Sequence, residues 1–151
     1  MDKFCICIIG GGKFFETMHA PTIDTLDGIG RKVIVNPDKK YGEMIRQKWN
    51  YDAHYLDIDR ALQTETFDCA YVITPHTVTK QYVVQLIERG VPTFAEKPIA
   101  ETLPDLMEIK HAYSRCGTPH QVGFNRRFSP IIRGLANFIS GTPGMSQLDV
   151  R

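Results

Sequence analysis

Two patterns of apolar positions alternate along the chain. Short, continuous hydrophobic runs bounded by glycine, proline or asparagine are followed by longer stretches with apolar residues at helical spacing. The first run, Phe4-Cys5-Ile6-Cys7-Ile8-Ile9, ends in Gly10-Gly11-Gly12. A run that is apolar at every position predicts a strand buried on both faces, as in a parallel sheet. A helix is predicted from about Lys13 to Met18, resuming after Pro21. Arg31 to Val35 reads as a second strand, Asn36-Pro37-Asp38 as a turn, and Lys39 to Trp49 as a helix. Ala53 to Leu56 is a short strand, followed by a helix over Ile58 to Gln63. Cys69 to Ile73 is a further buried strand, ending at Thr74-Pro75. The next helix carries Val78, Tyr82, Val83, Leu86 and Ile87 on one face, and Gly90 supplies the positive φ that its C-terminus needs. Val91 to Ala95 is another strand. Thr102 caps a helix whose buried stripe is predicted as Leu103, Leu106, Met107 and Tyr113, and which ends at Cys116-Gly117. His120 to Phe124 is the sixth strand, and a last helix runs from Pro130 to about Ile139. Met145 to Val150 has the pattern of the start of one more strand.

Strands that alternate with helices predict an α/β fold with right-handed crossovers and a doubly wound parallel sheet. The glycines after the first strand select the dinucleotide-binding version, with strand order 3-2-1-4-5-6.

Composition adds exclusions. The 151 residues are 42% hydrophobic and 23% charged, which is ordinary for a globular domain. The net charge of +1 offers no cation excess to displace counterions from a nucleic acid. The longest apolar run is Phe4 to Ile9, far short of the ~20 residues that span a bilayer, and it is no signal peptide either. Cys5, Cys7, Cys69 and Cys116 match no zinc spacing and read as reduced, buried thiols in a cytoplasmic protein. No metal site is predicted.

The candidate chemistry sits at strand ends. Gly10 and Gly12 follow the first strand and open a helix, the context in which a backbone turn approaches a pyrophosphate. Phe15 stands where the third glycine of G-x-G-x-x-G would be, and a glycine turn without ligand is the other reading. Asn36 ends the second strand, where an acid would accept bonds from the adenosine ribose of NAD. Asparagine does not repel a 2′-phosphate, and Lys39 and Lys40 follow, which tilts the reading towards NADP; a plain turn with solvated lysines is the alternative. Thr74, Pro75 and His76 end the fourth strand beside the switch point of the sheet, with His76 either touching a cofactor or merely opening a helix. His19, His54, His111 and His120 show no ligand spacing and read as structural. Lys97, in Glu96-Lys97-Pro98 after the fifth strand, projects from the carboxyl edge of the sheet. There an ammonium can favour deprotonation of a substrate hydroxyl as hydride leaves. Asn125-Arg126-Arg127 follows the sixth strand and offers planar donors to a sugar or carboxylate.

These motifs share the order and spacing of one family. With Gly10-Gly11-Gly12, His19-Ala20-Pro21, Thr74-Pro75, Glu96-Lys97-Pro98-Ile99-Ala100-Glu101 and Gly123-Phe124-Asn125-Arg126-Arg127-Phe128, the chain resembles the N-terminal domain of the Gfo/Idh/MocA oxidoreductases. The resemblance implies a Rossmann domain over residues 1–128. Residues 129–151 would be a linker helix and the start of an α+β C-terminal domain that is absent. It implies NAD or NADP held by Gly10, Gly12, Asn36, Thr74, Pro75, His76, Glu96, Lys97, Asn125 and Arg126. Lys97 would act on a sugar or cyclitol hydroxyl, with Pro98 in a cis peptide. The departures are Phe15, Asn36, Thr79 in place of a frequent histidine, and a Gly10-to-His19 spacing one residue long. Phe15 is expected to reshape or obstruct the glycine turn. Two functions follow: a dinucleotide-binding oxidoreductase domain inactive alone, or a degenerate Rossmann module serving as a scaffold or regulatory partner. The last strand would also offer an unpaired edge for a homo-oligomer.

Overall fold

The computed structural model describes residues 3–141. Six parallel strands form one sheet in the order β3-β2-β1-β4-β5-β6, as the sequence predicts. They are β1 (Phe4–Gly10), β2 (Ile29–Val35), β3 (Ala53–Tyr55), β4 (Cys69–Ile73), β5 (Thr93–Ala95) and β6 (His120–Val122). The helices are α1 (Ala20–Ile23), α2 (Lys39–Lys48), α3 (Ile58–Thr64), α4 (His76–Glu88), α5 (Leu103–Cys116) and α6 (Pro130–Ser140).

Strand periodicity divides the core between the two faces of the sheet. Cys7 and Ile9 of β1 join Val33, Val35 and Val72 in a cluster that takes in Ala61 of α3, Leu86 and Ile87 of α4, and Ile109 and Ala112 of α5. Ile6 and Ile8 point the other way and pack with Ile34, Phe15, Ile45 and Tyr51. This accounts for the unbroken apolar run of β1: each face has its own layer of helices.

Besides β2, which begins at Ile29 rather than Arg31, the elements differ from expectation in four places, each with a local cause. The helix after the glycines does not stop at Met18. It passes through a π-helical turn, Phe15–His19, in which the Ala20 N–H donates to the Phe15 carbonyl, and continues into α1. A π-turn holds one residue more than an α-turn. Such a turn has room for the Gly10-to-His19 spacing that the resemblance makes one residue long. β5 begins at Thr93 rather than Val91, because the Val91 N–H closes the end of α4 on the Leu86 carbonyl (3.0 Å) and Pro92 has no N–H to give. β6 ends at Val122, because the Phe124 N–H turns back onto the Val122 carbonyl (2.8 Å). On α5 the predicted stripe faces outward: Leu103, Leu106, Met107 and Tyr113 are exposed, and Ile109 and Ala112 are buried. Ile109 and Ala112 pack into the cluster with Leu86 and Ile87 of α4, which sets the rotation of α5; Lys80 of α4 lies 3.4 Å from Asp105 and 2.6 Å from Glu108 at the edge of that contact.

Of the cysteines, only Cys7 is fully buried; Cys5 and Cys69 are half-buried and Cys116 is exposed, all as free thiols. α6 is strongly amphipathic yet buries no side chain, with Ile131 81% exposed. The strand expected over Met145–Val150 lies outside the described residues. Among the described residues no helix is long and apolar enough to cross a membrane.

Candidate functional site

The carboxyl ends of β1, β2, β4 and β5 meet at a cleft of about 750 Å³. It lies where strand order reverses between β1 and β4, the place where open α/β sheets bind ligands. Gly10 and Gly12 line it, with Asn36 at the β2 end, Thr74 and Pro75 at the β4 end, and Glu96 and Lys97 after β5. His76, Asn125 and Arg126 do not line it. His76 opens α4, and its Nε2 lies 3.1 Å from Glu101 Oε1 with both side chains exposed. Asn125 and Arg126 sit on an exposed 3₁₀ turn, Asn125–Phe128.

The glycines have different causes. Gly10 adopts φ +115°, and a Cβ there would stand 2.1 Å from the Ile73 carbonyl oxygen, so β1 and β4 can converge only over a hydrogen. Gly12 is unlike it: a Cβ would meet no atom within 4 Å. The protein itself does not require glycine there; something approaching the cleft would. Phe15 does not obstruct this turn. Its side chain is fully buried beneath it, with its ring 6.3 Å from Tyr51.

The polar groups near the turn are bonded to the chain's own backbone. The Asn36 amide donates to the Gly10 carbonyl and accepts from the Asp38 N–H at 2.9 Å, so it ties β2 to the glycine turn. The neighbouring Asn36 carbonyl accepts from His54 Nε2 at 2.9 Å. Gly42 makes room for that ring, since a Cβ at Gly42 would lie 2.2 Å from it. His54 is thus structural, as expected. Thr79, 1% exposed, gives its hydroxyl proton to the Pro75 carbonyl at 3.1 Å. Thr74 therefore donates to Thr79, 3.0 Å away. The Thr74 oxygen keeps lone pairs for an acceptor role in the cleft.

Charge enters at the ends. Lys13 and Lys97 are the cations lining the cleft, both exposed, and Glu96 is its carboxylate. Lys39 and Lys40 are absent from it; they line a separate shallow recess with Glu43, Met44 and Gln47. The Lys97–Pro98 peptide is cis. Sequence reasoning missed Lys13, Phe14 and Tyr41 as cleft residues. Lys13 and Phe14 follow the glycines directly. Tyr41 stands in the first turn of α2, three residues after its cap Asp38, a position that faces the strand end.

His19 joins two elements: Nε2 lies 3.1 Å from Glu96 Oε1, with both side chains largely buried. Its ring makes an edge contact with Phe14, which lines the cleft, and a tilted one with Phe94. Burial holds its pKa below the ordinary value despite the Glu96 carboxylate. The proton on Nε2 is then the one donated to Glu96.

A dinucleotide fits these residues. The cleft has the size of a cofactor site, an open position over Gly12, and ammonium groups for a diphosphate.

Comparison with known proteins agrees with this reading. The profile of the Gfo/Idh/MocA oxidoreductase family, NAD-binding Rossmann fold, matches residues 4–124. The myo-inositol dehydrogenase Hyg17 of Streptomyces leeuwenhoekii is 31% identical over 144 residues, covering 95% of this chain and 43% of that protein. The inositol 2-dehydrogenase of Gluconacetobacter diazotrophicus is 37% identical over 126 residues, covering 82% and 37%. The crystal structure of scyllo-inositol dehydrogenase from Lactobacillus casei, with bound NAD(H) and scyllo-inositol, superposes with a TM-score of 0.83 at 19% identity. It covers 92% of this chain and 41% of that one. The chain thus spans about two-fifths of the length of these relatives.

Proposed function

Because the chain belongs to the Gfo/Idh/MocA oxidoreductase family and forms its NAD-binding Rossmann domain, we propose that it holds NAD in the cleft over Gly12 and serves hydride transfer between nicotinamide and a sugar or cyclitol hydroxyl. The inositol dehydrogenases among its relatives support that substrate class. Bound NAD would supply the hydride acceptor. Lys13 and the glycine-turn backbone would bind the diphosphate, and the Thr74 oxygen would accept a donor in the slot. Lys97 would hold the substrate hydroxyl and ease loss of its proton. Asn125 and Arg126, exposed after β6, would meet the substrate. We place turnover in the full-length protein, with the portion of its relatives that this chain does not match, and expect the chain alone to bind cofactor with little or no catalysis.

The choice of NAD over NADP rests on the β2 end. Asn36 uses its amide on the backbone, and Lys39 and Lys40 face another recess, so the cation expected for a 2′-phosphate does not line the cleft.

The observation that carries the reading is the open space above Gly12. Gly12→Val puts a side chain where the protein has no atom, so urea unfolding is expected to change by less than about 0.5 kcal/mol. Calorimetric titration should nevertheless show NAD⁺ affinity falling at least about tenfold. No heat from the wild-type chain at millimolar NAD⁺ or NADP⁺ would refute the reading. The scaffold alternative keeps one feature in its favour, the exposed apolar stripe of α5. Lys97→Ala separates the two: it would leave a scaffold's partner binding intact and abolish turnover of the full-length enzyme.

A further inference from the structure

Two distant segments converge on one carboxylate beside Lys97. Glu96 Oε1 lies 3.1 Å from His19 Nε2, at the end of the π-turn. Glu96 Oε2 accepts the Lys97 N–H at 3.2 Å. Gly123, just past β6, is packed against the same group, where a Cβ would stand 3.0 Å from Oε1. The Glu96 and His19 side chains are 12% and 17% exposed, so the bond between them is shielded from water and worth more than a surface pair. The extra residue of the π-turn matters here, because it sets the rotation at which His19 leaves the helix.

We propose that His19 and Glu96 are positioning residues for the nicotinamide end of the cleft. The pair fastens the helix after the glycine turn to the turn that carries Lys97, and so fixes where the Lys97 ammonium stands relative to the diphosphate end. This rests on the dinucleotide reading for its function, but the clamp itself is a property of the chain. Its effect is confined to one end: Asn36 and Thr74, at the other, are held by bonds that do not pass through Glu96.

The test uses His19→Ala, which removes the donor, and His19→Gln, whose amide N–H can replace Nε2–H. Without ligand, amide hydrogen exchange at Lys97 should quicken in His19→Ala and return towards wild type in His19→Gln. Unchanged exchange overturns the clamp whatever the protein binds. With ligand, NAD⁺ is compared with ADP, which carries the adenosine and diphosphate but no nicotinamide. In His19→Ala the NAD⁺ affinity should fall about tenfold, with ADP within about twofold of wild type. Equal losses for both ligands would mean general loosening and overturn the proposal. Faster exchange in His19→Ala, together with a wild-type chain that binds neither ligand, would refute the dinucleotide reading and leave the clamp standing. Glu96→Leu, which removes both acceptor oxygens, gives a second route should His19→Ala fold poorly: it should behave as His19→Ala does, and a variant indistinguishable from wild type in both readouts overturns the clamp.

Discussion

The two ends of the cleft are built differently. At the β1–β2 end the polar groups are closed on the protein's own backbone: Asn36 on Gly10 and Asp38, His54 on Asn36. Beneath them lie Ile8, Ile34 and Phe15, all fully buried. At the β5 end Lys97 faces solvent; beyond the cleft, past β6, Asn125 and Arg126 are exposed and no residue of α6 is fully buried. The His19–Glu96 pair is shielded there. The first end is completed by folding. The second displays charge and apolar surface that the described residues do not cover. The difference teaches that rigidity and chemistry are separated along one cleft: the end that must hold a backbone turn is locked, and the end that carries the lysine is left open.

The sharpest way to break this contrast is Gly10→Ala. The substituted residue would need φ +115° and would drive its Cβ to 2.1 Å from a backbone oxygen of β4, which cannot move without opening the sheet. A loss on the order of 5 kcal/mol is expected, enough to unfold a marginal domain. Urea unfolding or thermal melting reads it directly. Lys97→Ala, at the open end, should cost less than about 0.5 kcal/mol. Comparable losses for both would end the comparison.

Phe15→Ala comes next. If the aromatic ring obstructed the turn, truncation would improve binding at little cost. The buried ring instead predicts a cavity between Ile6, Ile8 and Tyr51 and a loss of about 3–5 kcal/mol. Equilibrium unfolding decides between these.

Much of this architecture was legible in the sequence, because strand burial in a parallel sheet leaves continuous apolar runs that need no three-dimensional knowledge to find. Strand order followed from the glycines after β1. The π-turn was visible only as a residue too many between Gly10 and His19; whether the chain would loop it out or wind it into the helix depends on the packing of Phe15 and Ala20, which sequence does not display. The outward stripe of α5 was misread for a related reason. Two apolar lines run along that helix, and the one carrying Ile109 and Ala112 fits against Leu86 and Ile87 of α4, a choice that tertiary packing makes. Of the site, the strand-end residues Gly10, Gly12, Asn36, Thr74, Pro75, Glu96 and Lys97 do converge on the cleft. His19 was missed as a neighbour of Glu96 because the two are far apart in the chain and meet only through the crossover.

The smallest expected effect sharpens the comparison through pH. Both histidines with lowered pKa belong to the open end: His19 against Glu96 and Phe94, and His120 on β6, whose ring is buried beside the Thr93 backbone. Burial is the cause in each case, outweighing the Glu96 carboxylate at His19. Their folded pKa values lie below the ordinary 6.5, so as pH falls through that value the unfolded chain takes up protons that the folded chain resists. Stability is therefore full above 6.5 and erodes towards the depressed folded values. Glu65 and Asp105, held below their usual range by Arg31 and Thr102 respectively, stay ionised through this window and do not contribute. Residue-resolved hydrogen exchange between pH 7.5 and 5.5, corrected for intrinsic rates, should show protection declining in β5 and β6 before β1 and β2. His120→Leu removes one of the two groups and should flatten the dependence. A decline that begins in β1 and β2, or none at all, would mean that the two ends share one stability and that the open end is no looser than the locked one.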